Sequence, residues 1–324
     1  MRSEKTHFSV IIPVCNRAGA LCDAISSVLV QTCQDFEIVI VDDGSKDDPA
    51  ASVARFNDPR IRILRQANLG GGAARNAAID AARGRFIAPL DCDDVFLPHH
   101  LESMKAMLEG TTNTAGYARI VVDRGAGRTF LKPPRAIRKT ENMGEYLLCA
   151  RGFVPTITLV VEREMARRVR YHTRLPAAED TDFAIRLSLA GCKFMMAEKP
   201  GAIWKDIAEP SRASAGGPSS RTQRFGYWLE QMKPMMTVRA WCGGRGWALA
   251  KMVARDGNKR EALKLYLDAF FRGCYGPRLA AIIFLQIFLD AAQYRRIVDT
   301  AVGWLHIGLR EPAPQTSLSI LKKA

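Results

Sequence analysis

The first ninety residues alternate between short continuous apolar runs and stretches whose apolar residues recur every three or four positions. "FSVIIPV" (8 to 14) and "FEIVIVDD" (36 to 43) are of strand length and rich in β-branched residues. Having no polar face, they predict strands buried on both sides. Between them Leu21, Ala24, Ile25, Val28 and Leu29 recur at helical spacing, which predicts a helix over 18 to 32. A strand at "RIRIL" (60 to 64), a helix at 73 to 83 and a strand at "RFIAPL" ending at Asp91 follow. This alternation predicts a mixed, mainly parallel α/β sheet flanked by helices. In such sheets ligands sit beyond the carboxyl ends of the strands. Asn16, Asp42, Asp43 and the acids at 91 to 94 all fall at such ends and converge on one edge.

Further along, a helix is predicted from Pro98 to about 109, strands near 117 to 122 and 156 to 161, and a helix through "LPAAEDTDFAIRLSLAG" with Gly191 just past its end. The Ser, Gly and Arg of "EPSRASAGGPSSRTQRFG" mark a loop or linker, and beyond it the pattern is helical. The expected organisation is a catalytic α/β domain over 1–205, with halves at about 1–100 and 101–205, a flexible loop over 206–226 and a helical region over 227–324. The apolar run "LAAIIFLQIFL" (279 to 289) is shorter than the roughly 20 residues needed to span a bilayer. With Arg272, Arg278, Arg295, Arg296 and Trp304 around it, it reads equally as an interfacial helix or as a buried helix of an appendage.

Charge sharpens the contrast between the two parts. Of the net +14, residues 1 to 204 carry 28 basic and 24 acidic side chains and residues 205 to 324 carry 19 and 9. The basic excess of the C-terminal region points to an anionic partner. Nucleic acid is disfavoured, because the basic residues are dispersed and no recognition motif is present. The 8 cysteines form no CxxC pair and read as packing thiols. The N-terminus enters a strand-like run at once, with no secretion leader, so a cytoplasmic chain is expected.

Four segments carry candidate chemistry. "LDCDD" places Asp91, Cys92, Asp93 and Asp94 behind a buried strand, and in an extended segment Asp91 and Asp93 share a face suited to a hard cation. The bland alternative is a solvated turn. Asp43 in "VDDGS" ends a central strand, where it either meets a ligand or caps a turn. "NLGGGAARN" lacks the GxGxxG spacing, and its Arg75 and Asn76 either face a phosphate or cap the turn. In "AAEDTDF", Asp180 precedes Phe183, Ala184 and Leu187 on an apolar helix face, whereas Asp182 has an exposed ion-pair spacing to Arg186. Asp180 is therefore the candidate base, with Glu179 its nearest rival.

"VIIPVCN", "VDDGS", "NLGGGAARN", "LDCDD" and "ED", in this order over residues 7 to 205, resemble the family-2 glycosyltransferases of GT-A fold. The resemblance implies inverting transfer of a hexose from a nucleotide-diphosphate sugar such as UDP-glucose, assisted by Mn²⁺ or Mg²⁺. It implies that Pro13 and Asp43 line the nucleoside pocket, Asp91 the ribose side, Asp93 together with Asp91 the metal, and Asp180 the acceptor as base. Asn16 and Arg75 complete the expected donor-binding set. The implied acceptor is a lipid-linked saccharide in exopolysaccharide or surface-glycan assembly, met peripherally at the cytoplasmic face of an anionic inner membrane.

Four departures stand out. Cys15 replaces a frequent base-stacking aromatic, and Pro89 interrupts the strand before Asp91. No metal-binding His occurs in "WKDIAEPSRAS", where Asp206 is the substitute candidate, and the Gln-x-x-Arg-Trp of processive synthases is absent, which favours single-sugar addition. The alternative from another class is a non-catalytic membrane-surface or scaffold protein on the same sheet. A Rossmann dehydrogenase is disfavoured, since no GxGxxG follows the first strand.

Overall fold

The structure is a computed structural model and describes residues 6–125, 127–173, 175, 178–206, 218–290 and 293. It divides into two compact units, Met1–Lys139 with Phe153–Arg212, and Thr140–Gly152 with Ala213–Ala324.

The first unit opens with β1 (Phe8–Val14), α1 (Ala18–Leu29), β2 (Phe36–Asp43), α2 (Pro49–Ala54), β3 (Ile61–Gln66), α3 (Gly71–Ala81) and β4 (Phe86–Pro89). After them come β5 (Val95–Phe96), α4 (His100–Leu108), β6 (Thr114–Asp123) and β7 (Thr129–Lys132). The second unit contributes α5 (Met143–Cys149), and the first resumes with β8 (Val161–Glu162), α6 (Arg163–Val169), α7 (Glu179–Leu189) and β9 (Lys193–Lys205).

One sheet has the order β3-β2-β1-β4-β8, parallel except for β8. Val10, Ile11 and Ile12 are fully buried, as the continuous apolar runs require of strands covered on both faces. Pro89 is accommodated because β8 pairs only with Phe86 and Ile87, leaving that side of β4 unpaired at the proline. Leu90 resumes with its N–H donating to the Ile11 carbonyl at 2.9 Å.

A second sheet, β5-β9-β6-β7, has a parallel β6/β9 pair flanked by antiparallel edges. The strand expected over 156 to 161 shrinks to Val161–Glu162, preceded by a 3₁₀ turn at Thr156–Thr158. There the Thr158 hydroxyl donates to the Ala118 carbonyl at 2.8 Å and accepts from the Ala118 N–H at 3.2 Å, so a side chain takes the place of a ladder.

His99 and His100 read from sequence as surface residues, but His100 is fully buried. It shares a stripe with Met104 and Leu108 along α4 and packs 4.6 Å from the Phe96 ring. Neither of its ring nitrogens has a partner among the described residues, and burial lowers its pKa to about 3.

The second unit is helical: α5 with α8 (Pro218–Met232), α9 (Val238–Gly244), α10 (Ala250–Arg255), α11 (Lys259–Phe271) and α12 (Pro277–Phe288). Part of the segment expected as a loop is therefore helix. Its Ser and Arg content masks Phe225, Trp228, Leu229 and Met232, an apolar stripe at helical spacing that is 0–3% exposed. Residues 207–217 lie outside the described residues, as do Arg295, Arg296 and Trp304. Cys149, Cys242 and Cys274 pack with Leu265, Tyr266 and Ile283 in this unit's core. All 8 cysteines are free thiols. Ala280, Ile283 and Ile287 of α12 are buried in that core, while Phe284 is 41% exposed. No helix among the described residues is long and apolar enough to cross a membrane.

Candidate active site

At the carboxyl edge of the first sheet, three loops are stitched together by short polar side chains. Asn16 accepts from the Lys46 N–H at 2.7 Å through its side chain and donates its own N–H to the Ser45 hydroxyl at 3.0 Å. Asp42 accepts from the Ser45 N–H at 2.8 Å. Asp43, 4% exposed, accepts from the Leu69 N–H at 2.9 Å, the Gly70 N–H at 2.8 Å and the Gln66 amide at 2.8 Å. Its carboxylate thus holds the chain that leads into α3, through Gly70 at a φ of +90° that side chains avoid. Pro13 is half-buried at the end of β1, beside Val41 of β2.

Of the glycines in "NLGGGAARN", Gly72 seats α3 against the chain at 172. A Cβ on Gly72 would collide with the His172 carbonyl oxygen. One turn on, Asn76 clamps the Tyr171 backbone, accepting from its N–H at 2.8 Å and donating to its carbonyl at 2.9 Å. This close approach delivers Arg75 to the middle of an acidic cluster. Its guanidinium donates to Asp91 at 2.6 Å and to Glu179 at 2.6 Å and lies over the Tyr171 ring at 5.4 Å. Its Nε is buried with no partner among the described residues.

Arg75, Asp91, Asp94, Glu179 and Asp180 line a cavity of about 430 Å³, closed on other sides by Ile120, Phe153, Pro155, Ile157 and Trp204. The cavity thus joins three of the sequence-derived site residues, Arg75, Asp91 and Asp180, while Pro13, Asn16, Asp43 and Asp93 do not line it. Asp180 sits at the start of α7, where its carboxylate accepts from the Thr181 N–H at 2.7 Å. Burial, reinforced by the charge of Asp91, raises its pKa above the ordinary aspartate value. Glu179 is raised chiefly by burial too, with Asp91 and Asp180 opposing the Arg75 charge.

Two local expectations are corrected. Residues 91–94 form a turn, with the Asp94 N–H donating to the Asp91 carbonyl at 3.1 Å, so Asp91 and Asp93 do not share a face as an extended segment would dictate. Asp91 meets Arg75, whereas Asp93 meets Arg17 at 2.6 Å. Asp182, expected on an exposed face, is 1% exposed and ion-paired to Arg186. The outer side of α7 is covered because Arg186 also reaches the Val169 carbonyl and Tyr171 stacks on Phe183 at 4.0 Å.

No group of three potential metal-ligating side chains occurs among the described residues. The donor set nonetheless fits a hard cation carried largely by a diphosphate, which needs one or two carboxylates besides phosphate oxygens and water. Asp91 at the cavity wall is one such carboxylate, while Asp93 on the same turn lies outside the lining and is engaged by Arg17. Four carboxylates, Asp91, Asp94, Glu179 and Asp180, line the cavity beside the guanidinium of Arg75. Asp206, the substitute candidate, pairs instead with Arg124 at 3.3 Å and does not line the cavity.

Sequence reading passed over Tyr171, Phe153 and Trp204, which no motif marks. For Asp94 the expectation is a supporting place in the loop. Asp94 is 2% exposed, and its carboxylate accepts from the Lys205 N–H at 2.9 Å, tying the turn to the end of β9.

Known proteins resemble this chain in sequence and in fold. The chain is 27% identical over 274 residues to the amylovoran biosynthesis glycosyltransferase AmsB of Erwinia amylovora, covering 82% of this chain and 90% of that one. It is 41% identical over 101 residues to the UDP-Glc:alpha-D-GlcNAc-diphosphoundecaprenol beta-1,3-glucosyltransferase WfgD of Escherichia coli, covering 31% and 40% of the two chains. The crystal structure of S. aureus TarS 1-349 in complex with UDP-GlcNAc superposes with a TM-score of 0.57 at 16% identity over 92% of each chain, a likeness of fold. Residues 9–172 match the glycosyl transferase family 2 model, so the chain, with its GT-A fold, belongs to glycosyl transferase family 2.

Proposed function

We propose that this family-2 glycosyltransferase moves a hexose with inversion from a UDP-activated donor to a hydroxyl of a lipid-linked saccharide during exopolysaccharide assembly. The observation that carries the reading is the cavity in which Asp180 faces the Arg75–Asp91 pair. Arg75, with its buried unpartnered Nε, is the cation placed to hold the diphosphate as negative charge develops on the leaving group. Asp91 and Asp93 would hold Mn²⁺ or Mg²⁺, which when bound neutralises the diphosphate and improves it as a leaving group. Pro13, Asn16 and Asp43 belong on this reading to the nucleoside end, where Asp43 acts by holding the 68–70 loop.

Asp180 is the better base than Glu179 because Arg75 already occupies the Glu179 carboxylate. Its raised pKa strengthens it for removing the acceptor proton as the hydroxyl oxygen attacks the anomeric carbon. Attack from the side opposite the leaving diphosphate inverts that carbon without a covalent intermediate.

The acceptor class follows the printed activity of WfgD and the glycan class that of AmsB. Membrane contact is supported by α11 and α12, where Leu263, Phe270, Phe271 and Phe284 are 37–80% exposed. Exposed Arg260, Lys264, Arg272 and Arg278 lie on the same two helices, a combination suited to an anionic bilayer at the cytoplasmic face. Flotation with anionic liposomes should be salt-sensitive and weaken when Phe271 and Phe284 become Ser, and unchanged flotation would remove the membrane from the account.

Calorimetry with UDP and Mn²⁺, followed by UDP release from a panel of UDP-sugars, tests the enzymatic reading. Metal-dependent binding and release support it. A protein that binds no nucleotide is instead a scaffold on the same fold.

A further inference from the structure

The cavity is lined by two chemically different sets of side chains. Arg75, Asp91 and Glu179 are joined by ion pairs, and Phe153, Pro155, Ile157 and Trp204 supply apolar surface. Phe153 and Trp204 are only partly buried, with ring centroids 6.4 Å apart and planes inclined at 35°. Lys132 at the end of β7 places its ammonium 5.4 Å from the Trp204 centroid, 5.8 Å from Phe153 and 5.6 Å from Phe130, which steadies both rings. Trp204 is fixed by its register opposite Val122 on β6 and by the adjoining Lys205 N–H, held by Asp94 at 2.9 Å.

Accessible aromatic faces inside a carboxylate-lined cavity suit a ligand with one apolar face and a polar rim. A hexopyranose is such a ligand, since its C–H groups lie on the ring faces and its hydroxyls radiate from the edge. We infer that Trp204 and Phe153 form the subsite for the acceptor saccharide, whose ring lies on Trp204 and turns a hydroxyl toward Asp180. This deepens the proposed glycosyl transfer and rests on it, with the diphosphate placed at Arg75 and the aromatic side chains on another part of the lining. Asp94 is then a positioning residue, coupling the turn that bears Asp91 and Asp93 to the strand that bears Trp204.

The test uses the full chain and octyl glucoside, octyl galactoside and octyl N-acetylglucosaminide below their micellar concentrations as probes. Saturation-transfer NMR reports sugar-ring contact, and calorimetry reports UDP affinity separately. The expected result is ring-proton contact in the wild type for at least one probe. Its affinity should fall about tenfold in Trp204→Ala and within about threefold in Trp204→Phe, the scale of an aromatic contact, while UDP affinity stays within about twofold. Phe153→Leu carries the same test at a second position should Trp204→Ala fail to fold. The inference is overturned by absence of ring contact in the wild type, by equal probe affinity in Trp204→Ala, or by a loss confined to UDP. Sugar contact without UDP binding would support the subsite and defeat the donor reading.

Discussion

Two groups of carboxylates lie along one sheet edge and differ in what neutralises them. Asp42 and Asp43 accept from backbone N–H groups of the loops after β2 and β3, and Gln66 adds a further donor to Asp43. Asp91, Glu179 and Asp180 surround the single guanidinium of Arg75, and Asp180 and Glu179 are both raised in pKa by burial first and by their neighbours' charge second. The first group uses its oxygens to build the frame. The second keeps negative charge incompletely compensated, which is where proton transfer and cation binding are to be expected.

The sharpest way to break this contrast is Asp180→Asn. Transfer should fall by about 10²–10⁴-fold while UDP affinity changes by less than about twofold, measured by kinetics and calorimetry. The variant should also unfold at a higher temperature near neutral pH. A carboxyl whose folded pKa is raised favours the fold while protonated, and that contribution is lost as pH rises through the folded pKa. The neutral amide escapes this loss.

Arg75→Met comes next, because it leaves three acids with no shared cation. Transfer should fall by about 10²-fold, and urea unfolding should show about 3 kcal/mol less stability. Asp43→Ala strips the acceptor from two N–H groups and should cost about 1–3 kcal/mol, raising the donor KM more than it lowers kcat. Tyr171→Phe should have the smallest effect, within about 1 kcal/mol in stability, because the hydroxyl it removes is buried without a partner among the described residues. A large loss of transfer in that variant would place the phenol in the chemistry and blur the comparison.

Much of this edge was legible in the sequence because its elements are local. Continuous apolar runs gave β1 and β2 with their observed limits, strand-end logic put Asn16, Asp42, Asp43 and Asp91 at one edge, and helix spacing picked out Asp180. What escaped reading depends on contacts distant along the chain. Nothing near Gly72 announces that the His172 carbonyl will press against it, and nothing near Asp93 announces Arg17. His100 and Asp182 went astray because polarity was read as exposure, although each lies where a second element covers the helix. The first part of α8, at 218–226, was hidden for the opposite reason, since its composition is loop-like and only the spacing of Phe225 with Trp228, Leu229 and Met232 reveals it.

The most direct test of the account is the pH dependence of kcat/KM for transfer from a UDP-sugar, compared among wild type, Asp180→Asn and Glu179→Gln. The raised pKa of Asp180 predicts a wild-type acid limb shifted upward from the ordinary aspartate value, with activity growing as pH rises and the base ionises. In Glu179→Gln the limb should move to lower pH with most activity kept, because a like charge is gone and Arg75 is freed to favour the Asp180 carboxylate. In Asp180→Asn the limb should vanish along with transfer. Full activity with an unchanged limb in Asp180→Asn would contradict the account.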